Sequence, residues 1–474
     1  MYKYLLCWRY LKTRYIALAS VISVMLGVAT MIVVNSVMAG FGEKMRDRLH
    51  GVLADVVVEC VSLDGFYNWE EVKARVEQIG GDDVIAQAPT METPGILHFR
   101  FPGGQVITRP VQIIGVKPED RAKTGDFGEF LVNEQGKRIE PSFKVDEKFK
   151  EQTKAGELLK DLPADSTDPF TQKMREELLR QQMEQAPDEG AIVGYAIATH
   201  HQGKGMPDHF IAPPGTKVGL LFPVAGKVKS EGGFDTFTVV GYFKSGMSEY
   251  DSTHVYIPLE RLQSQRRLID DNGHGAVNQI QIKVRPGASL DQLAEKLQNS
   301  LDELHPAFFR VSTWEQKQGP LLGAVAIEQS ILNILLFFII AVAGFGILAI
   351  FSMIVVEKTR DIGVMKALGA STGGIRGIFL GYGVLLGAVG SGVGMVGGLL
   401  FVRYINEVEK ALSAVMHRRV FDDTIYYFDK IPTVVQPFTV FWIVAGAILI
   451  AVVASIWPAH RAAHLHPVKS LRYE

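Results

Sequence analysis

Four long stretches of the chain are apolar and contain no Asp, Glu, Lys or Arg. They lie at 16–39, 331–356, 378–401 and 438–457. A helix needs about 20 residues to cross the hydrocarbon core of a bilayer, and each stretch reaches that length. Because buried helices of soluble proteins rarely stay uncharged over such a length, the pattern predicts four transmembrane helices, the third beginning at 377. A secretory signal peptide is an alternative for the first stretch, although its apolar region is longer than the usual ~7–15 residues.

The placement of Lys and Arg orients these helices, because cytoplasmic loops carry an excess of both. Basic residues precede the first stretch (Lys3, Arg9, Lys12, Arg14), separate the second from the third (Lys358, Arg360, Lys366, Arg376) and occupy the tail (Arg461, Lys469, Arg472). We therefore predict cytoplasmic segments at 1–15, 357–376 and 458–474. A large domain at 40–330 and a short loop at 402–437 are predicted to be extracytoplasmic, so both termini are cytoplasmic.

The third stretch is rich in glycine at four-residue spacing. The candidate packing residues are Gly383, Gly387, Gly390, Gly394 and Gly398. Small residues at this spacing let helix backbones approach closely in a membrane. Two interpretations stay open: tight packing within one subunit, or a sliding or dimer face. The four stretches hold no ionisable side chain, which argues against an ion or proton relay.

The segment 40–330 mixes two periodicities. Runs rich in Val, Ile, Phe and Thr predict strands at 55–61, 106–116, 236–243, 254–258 and 277–284. Helical spacing predicts helices at 69–79 and 289–304, the second capped by Ser289, and an amphipathic helix at 314–329 that leads into the second stretch. The prediction is an α+β domain between transmembrane helices 1 and 2. A charged insertion at 141–189, with 8 Lys and Arg and 12 Asp and Glu, interrupts it.

Composition and motifs exclude several classes of function. The 49 Lys and Arg against 51 Asp and Glu leave no basic surplus for nucleic acid, and the two cysteines, Cys7 and Cys60, exclude a disulfide framework. The chain lacks the phosphate-binding G-x-x-x-x-G-K-[ST] motif and the hydrolase motifs H-E-x-x-H and G-x-S-x-G. The adjacent His200 and His201 favour a loop over a metal pair. We therefore predict no catalytic, cofactor or metal site in this chain. If the protein moves a substrate against a gradient, we predict that a partner supplies the energy.

The cytoplasmic segment between the second and third stretches is short and amphipathic. Ile362, Met365 and Leu368 fall on one helical face, Gly369 suits the position after the helix end, and Ser371 suits the next N-cap. One interpretation is an interfacial helix on anionic lipids; the other is a coupling helix that docks into a cytoplasmic ATPase. The candidate coupling residues are Glu357, Arg360, Asp361, Ile362, Gly363, Met365, Lys366, Leu368 and Gly369.

This segment, E-K-T-R-D-I-G-V-M-K-A-L-G-A-S, resembles the signature of ABC-transporter permeases of the FtsX, macrolide-efflux and lipoprotein-releasing (Lol-type) family. The chain is most similar to Lol-type permeases at S-V-M-A-G-F (36–41), at V-V-G-Y-F-K-S-G-M-S-E-Y-D (239–251), at Trp314-Glu315 and at P-A-H-R-A-A (458–463) with L-R-Y-E at the end. It departs from the family at Ala39, where Asn is usual, and in the charged insertion.

The resemblance implies a bacterial inner-membrane subunit that pairs with a second permease, either a copy or a paralogue. Two copies of a separate ATPase would bind ATP and Mg and drive the outer domains by mechanotransmission through the bilayer. In Lol-type members, acylated proteins enter laterally between the first two helices and pass to a periplasmic carrier. The candidate residues for substrate and lipid access are Val34, Asn35, Met38, Phe41, Asn333 and Phe337. The carrier-docking hairpin would fall near 224–234.

Two other functions share these mechanics. One is efflux of a drug, peptide or toxin. The other is FtsX-like regulation of a cell-wall hydrolase. The segments at 36–41 and 245–251 favour lipoprotein extraction, whereas the region near 224–234 does not match the Lol-type hairpin.

Overall fold

A computed structural model describes residues 15–62, 64–100, 106–146, 149, 171–175, 189–200, 208–224, 232–416 and 430–465. Residues 1–14 of the predicted N-terminal segment, most of the charged insertion, 225–231 of the predicted hairpin, His201 and 466–474 of the tail lie outside this set. The described residues separate into two compact units. One contains 15–45 with 321–416 and 430–465, and the other contains the described part of 46–320.

Among the described residues, four helices are long and apolar enough to cross a membrane. They are α1 (Tyr15–Val52), α9 (Gly319–Glu357), α11 (Thr372–Arg403) and α13 (Pro437–Ala463). Two shorter helices belong to the same unit: α10 (Thr359–Ala367) and α12 (Ile405–Met416). The described core of this unit includes Val28, Phe351, Leu386 and Ala451. Each long helix extends beyond its uncharged stretch, because charged side chains outside the hydrocarbon core do not interrupt helical hydrogen bonding.

The described residues of the second unit form a ten-stranded sheet with helices packed against it. Its described helices are α2 (Trp69–Gly80), α3 (Pro118–Thr124), α4 (Tyr195–Ala198), α5 (Ser248–Asp251), α6 (Leu259–Gln265), α7 (Leu290–Leu304) and α8 (Trp314–Lys317). The strands of the sheet are β1 (Val56–Cys60), β2 (Val84–Arg100), β3 (Val106–Val116), β4 (Leu131–Val132), β5 (Gly190–Gly194), β8 (Lys217–Pro223), β9 (Gly232–Phe243), β10 (His254–Pro258), β11 (Gln279–Val284) and β12 (Phe309–Thr313). Strands β6 (Thr199–His200) and β7 (His209–Phe210) form a separate pair.

The sheet closes partly on itself. The strand order is β12-β1-β11-β2-β3-β10-β5-β9-β4, and β8 pairs with both β2 and β9. Strands β2, β3, β10, β5, β9 and β8 therefore form a closed circuit, and β11, β1 and β12 continue the sheet from β2 outside this circuit. The pairs β3/β10 and β5/β9 are parallel, which a chain of simple hairpins cannot produce. The long helices and this α+β domain between α1 and α9 confirm the predicted fold class.

Local signals placed the predicted elements well. Ser289 caps α7, because its hydroxyl accepts a hydrogen bond from the amide of Gln292 at 3.5 Å. The predicted helix at 314–329 is divided: α8 ends at Lys317, and α9 begins at Gly319. A capping box at Thr313 and Gln316 starts α8.

Candidate functional site

The glycine-rich face of α11 packs against two other helices of the same chain. A Cβ built on Gly383 would lie 2.5 Å from the hydroxyl oxygen of Ser455 in α13, and one on Gly387 would lie 2.9 Å from the Cβ of Ala451. On α1, the corresponding distances are 2.9 Å from Gly390 to Val24 Cβ, 2.6 Å from Gly394 to the carbonyl oxygen of Met25 and 3.1 Å from Gly398 to Ala29 Cα. These contacts use all five candidate glycines within a single subunit.

The partner surface on α13 was missed at the sequence level. Ala447, Ala451, Ser455 and Ala459 are buried and four residues apart, so they form one narrow stripe of small side chains. This spacing is the same signal that identified the glycines, and it would have located the facing helix. By contrast, a Cβ on Gly392 or Gly397 would meet nothing within 4 Å, so only part of the glycine content of α11 serves helix contact.

The segment 357–369 is anchored on one side to the membrane helices. Ile362 and Gly363 of α10 are buried. The ammonium group of Lys366 donates hydrogen bonds to the carbonyl oxygens of Ala463, at 2.6 Å, and Leu465, at 2.7 Å. Both carbonyls lie at the C-terminal end of α13, where the helix dipole favours a cation. Lys366 therefore holds α10 against the end of the last long helix.

The other side of this segment is exposed. Glu357, Arg360, Asp361, Leu368 and Gly369 are exposed, and Leu368 is 84% accessible. Ile362, Met365 and Leu368 differ in exposure: Ile362 is buried, Met365 half-buried and Leu368 exposed. Each step of three residues turns about 60° around a helix, so these residues run from the anchored side of the segment to its exposed side, and the amide of Leu368 still closes the last turn on the carbonyl of Val364.

A residue of the exposed face was not among the candidates. Val364 is exposed and lies one turn from both Arg360 and Leu368, so the three form a mixed apolar and basic stripe. Gly369 has a left-handed backbone with φ of 95°, and the hydroxyl of Ser371 accepts from the amide of Gly374 at 3.1 Å. These two caps fix the turn that joins α10 to α11.

A cavity of about 130 Å³ lies among α1, α9 and α13. The candidates Asn35 and Asn333 both line it. The structure places Val34, Met38 and Phe41 half-buried outside its lining, and Phe337 exposed on α9. Four further polar side chains line the cavity and were missed because they stand at the ends of apolar stretches: Ser36, Gln329, Gln436 and Thr439. The cavity is therefore a polar chamber with an apolar wall, which includes Ile32 and Ile443.

The segment ahead of α13 contacts α1 near the end of the predicted first span. The amide of Val434 donates to the carbonyl oxygen of Ser36 at 2.9 Å. A Cβ on Gly40 would lie 2.6 Å from backbone atoms of Pro432. Only glycine permits this approach, which explains the glycine of the S-V-M-A-G-F segment.

The S-G-M-S-E-Y-D segment forms a rigid loop in the α+β domain. The carboxylate of Asp251 accepts hydrogen bonds from the amide and hydroxyl of Ser245, at 2.8 and 2.7 Å, and from the amide of Gly246 at 3.1 Å. Burial raises the pKa of Asp251 to about 6, although these hydrogen bonds act in the opposite direction. Gly246 has a φ of 74°, which suits glycine at this turn.

This loop forms hydrogen bonds with residues at both ends of the α+β domain. The guanidinium of Arg48, in the last turns of α1, donates to the carbonyl oxygen of Gly246. The side-chain amide of Gln318, just ahead of α9, donates to the hydroxyl of Tyr250 at 2.9 Å. The segment that carries the family resemblance therefore contacts the residues through which the chain enters and leaves the domain.

A second group of contacts joins the end of α1 to the sheet. The carboxylate of Asp55 interacts with His50 of α1, with the amide of Val284 at 2.7 Å and with the ammonium group of Lys283 at 3.3 Å. Burial alone would raise the pKa of Asp55, but the hydrogen bonds from His50 and Val284 and the charge of Lys283 lower it below its ordinary value. The His50 ring stacks on Trp314 with centroids 5.0 Å apart.

In the part of the chain that the structure describes, no group of three or more His, Cys, Asp and Glu side chains could hold a metal ion. His200 is an exposed residue of the short strand β6. His254, in β10, stacks on Tyr250 with ring centroids 4.9 Å apart. Strands β8 and β9 flank the predicted carrier-docking hairpin, whose tip lies outside the described residues.

Comparison with protein families gives two matches. The family model "FtsX-like permease C-terminal" matches residues 333–467, and "MacB-like periplasmic core domain" matches residues 164–300. The first match includes α10, α11 and α13, and the second covers a large part of the α+β domain. One match lies in each unit, and residues 1–163 and 301–332 lie outside both matches.

Curated relatives match over nearly the whole chain. A "Lipoprotein-releasing system transmembrane protein LolC" of Xylella fastidiosa is 24% identical over 97% of this chain and 94% of that protein. The protein of the same name from Neisseria meningitidis is 25% identical over 97% of this chain and 94% of its own length. A LolE protein of Haemophilus influenzae is 27% identical over 38% of this chain and 43% of its own.

Among solved structures, the periplasmic region of MacB from Actinobacillus actinomycetemcomitans matches at 12% identity. It covers 59% of this chain and 97% of that chain, with a TM-score of 0.29.

Proposed function

Because the chain is an FtsX/MacB-like ABC permease, a subunit that works with a partner ATPase, we propose that it extracts lipoproteins from the outer leaflet of the bacterial inner membrane. The observation that carries this proposal is the similarity to lipoprotein-releasing transmembrane proteins over 97% of the chain. The proposed topology has both termini and α10 in the cytoplasm and the α+β domain in the periplasm.

The exposed side of 357–369 is proposed to dock into the ATPase. Arg360, Val364 and Leu368 present one apolar residue per turn beside a charge, a composition that suits a protein groove. The buried side, through Ile362 and Lys366, joins this segment to the end of α13. A movement of the ATPase against the exposed side would therefore move α13. Through the contacts of Gly383 and Gly387, it would also move α11.

The cavity among α1, α9 and α13 is proposed to receive the polar part of an acylated cargo. Its asparagine and glutamine side chains can hydrogen-bond the ester and amide groups that join acyl chains to a protein. The exposed apolar surface of α9, which includes Phe337, Phe338 and Phe345, suits the acyl chains themselves. Substrate need not cross the bilayer in this scheme, which fits spans without ionisable side chains.

The partners follow from the same proposal. They are a cytoplasmic ATPase dimer that binds ATP and Mg, a second permease subunit and a periplasmic lipoprotein carrier. The loop at 245–251 is proposed to transmit motion, because it contacts both Arg48 at the end of α1 and Gln318 ahead of α9.

Site-specific crosslinking tests the cargo. A photoreactive amino acid at Asn333 should capture proteins labelled with a clickable fatty acid, because this position lines the cavity. The matched control is Val396, which is exposed on α11 and does not line it. Equal labelling at both positions, or no acylated product at Asn333, would contradict lipoprotein extraction and favour efflux or hydrolase regulation.

A charge placed on the segment 357–369 tests its proposed contact with the ATPase. We expect Leu368→Asp to reduce permease-stimulated ATP hydrolysis at least tenfold, since it puts an unpaired charge into the proposed groove. Gly373→Asp adds the same charge five residues later, where nothing lies within 4 Å of the new Cβ. Unchanged hydrolysis in Leu368→Asp, with the protein still in the membrane, would show that this segment does not couple the ATPase.

A further inference from the structure

The helix after the third span is amphipathic and follows the span almost without interruption. Helix α11 ends at Arg403, and α12 begins at Ile405, so Tyr404 alone separates them. The amide of Val408 donates to the carbonyl oxygen of Tyr404 at 2.9 Å. Tyr404 itself has a φ of −105° and a ψ of 17°, so the backbone leaves helical geometry at the joint and α12 is a separate helix. The sequence pattern predicted a loop at 402–437, so a 12-residue helix there is unexpected.

An exposed apolar stripe continues from the span onto this helix. Its members are four residues apart and each is between 39% and 55% exposed: Val396, Leu400, Tyr404, Val408 and Leu412. In a membrane-spanning helix such a stripe faces acyl chains. Residues four apart shift by about 40° around a helix, so this stripe winds slowly around α11. Val408 and Leu412 continue the row of exposed apolar side chains beyond the joint, onto α12.

The remaining sides of α12 have a different character. Glu407, Lys410 and Ala414 are exposed on the side away from Leu412. Arg403 lies over the ring of Tyr404, with 6.0 Å between the guanidinium carbon and the ring centroid. Arginine and tyrosine are enriched where a helix leaves the hydrocarbon core, since both combine an apolar body with a polar end.

The inner side of α12 is fastened to the segment that contacts α1. The side-chain oxygen of Asn406 accepts from the amide of Ile431 at 2.8 Å, and its nitrogen donates to the Ile431 carbonyl at 3.5 Å. Pro432 follows directly and abuts Gly40, and Val434 then bonds to Ser36 and lines the polar cavity. A chain of contacts therefore leads from α12 to the wall of that cavity.

We propose that α12 lies in the headgroup region of the bilayer, with Val408 and Leu412 in contact with acyl chains. This interfacial position of α12 holds residues 431–434 against α1. The apolar face of α12 therefore contacts lipid and not a second protein. Helix α12 carries Glu407 and Glu409 against Lys410 alone, so its attachment depends on apolar burial and not on anionic lipid.

The collision accessibility of spin labels tests whether α12 lies in the headgroup region. The full chain, with Cys7 and Cys60 replaced by Ser, is labelled at a single cysteine, either Leu412→Cys or Ala414→Cys, and placed in phosphatidylcholine nanodiscs. The two positions lie about 200° apart around the helix. We expect the label at 412 to be at least fivefold more accessible to oxygen than to a water-soluble nickel chelate, and the label at 414 to show the reverse preference.

Each other outcome overturns the proposal. Equal profiles at 412 and 414 would place α12 in water, and shielding of 412 from both reagents would place a second protein surface on it. Added phosphatidylglycerol should leave both profiles unchanged. The measurement needs no cargo and no ATP, so it can succeed where lipoprotein extraction fails, and it can fail where extraction holds.

Discussion

The two units of the chain solve the problem of close packing in opposite ways. In the membrane unit, tight contacts form where side chains are absent, as at Gly383 and Gly394 of α11. In the α+β unit, the interior contains charged side chains: Asp235 and Asp251 are fully buried, and Arg121 and Arg266 are nearly so. In lipid no hydrophobic effect holds helices together, so their backbones must approach closely to gain van der Waals contact. In water the hydrophobic effect drives folding, and it is strong enough to bury charged side chains that have polar partners.

The difference teaches that the two units should respond to different kinds of substitution. Added volume should damage the membrane unit most, because most of the close contacts of its glycines are with backbone or Cβ atoms, which cannot move aside. Loss of a polar partner should damage the α+β unit most, because a buried charge without its partner carries a large desolvation cost.

The largest effect is expected from added volume on the α1 face of α11. Gly394→Leu should prevent correct association of α1 with α11, because its Cβ would already lie 2.6 Å from the Met25 carbonyl oxygen. The measurement is the yield of monodisperse protein in mild detergent and its unfolding temperature. Gly397→Leu is the matched control, since its Cβ would meet nothing within 4 Å. Similar behaviour of the two variants would refute the packing role.

A smaller effect is expected from a broken ion pair in the α+β unit. Arg261 binds Asp235 through two hydrogen bonds of 2.7 and 3.1 Å. Arg261→Ala leaves a buried carboxylate without this partner and should lower the free energy of unfolding by about 3–5 kcal/mol. Arg138→Ala removes an exposed partner of Glu129 and should cost at most about 1 kcal/mol. Chemical denaturation of both variants decides between these values, and equal costs would contradict the argument.

The pH dependence of Asp251 tests how far burial outweighs its hydrogen bonds. A carboxyl whose pKa is raised on folding stabilises the protein fully below its unfolded pKa of about 4, and that stability is lost as pH rises through about 6. Between pH 4 and 7 the wild type should therefore lose roughly 3 kcal/mol relative to Asp251→Asn. Asp271→Asn, at an exposed position, is the control for the loss of a charge. A wild type that gains stability over this range relative to Asp251→Asn would mean that the hydrogen bonds prevail.

The smallest effect concerns the turn after α10. Gly369→Ala should cost about 1 kcal/mol, because alanine resists a φ of 95° even though the space around Gly369 is open. Gly373→Ala, in the first turn of α11, should instead stabilise slightly, since alanine is the better helix former. Thermal unfolding of the two variants should shift in opposite directions, and a shift of the same sign would remove the role assigned to the Gly369 turn.

Much of the fold follows from sequence, but only where one segment determines its own environment. The four spans are predictable because lipid selects composition over about 20 residues. The extension of α1 to Val52 is not, since Lys44, Arg46 and Asp47 end the apolar signal without ending the helix. Strand β2 was missed because Pro89 and Pro94 interrupt it, although both are tolerated inside the paired strand.

The candidate site shows the same division. Asn35 and Asn333 could be named from sequence because they are polar residues inside apolar stretches. Their cavity partners Gln436 and Thr439 come from a third part of the chain, so their position depends on tertiary packing. Lys366 likewise reads as one more basic residue in a loop, and only the fold shows that it reaches the end of α13, 97 residues further along.

The double contact of α11 has a consequence for biosynthesis. Gly390, Gly394 and Gly398 meet α1, which is synthesised before α11, whereas Gly383 and Gly387 meet α13, which is synthesised after it. A chain that ends after α12 can therefore form the contact between α1 and α11, but Gly383, Gly387 and Lys366 still lack their partners. The packing of this unit is complete only when the 27-residue helix α13 has been made.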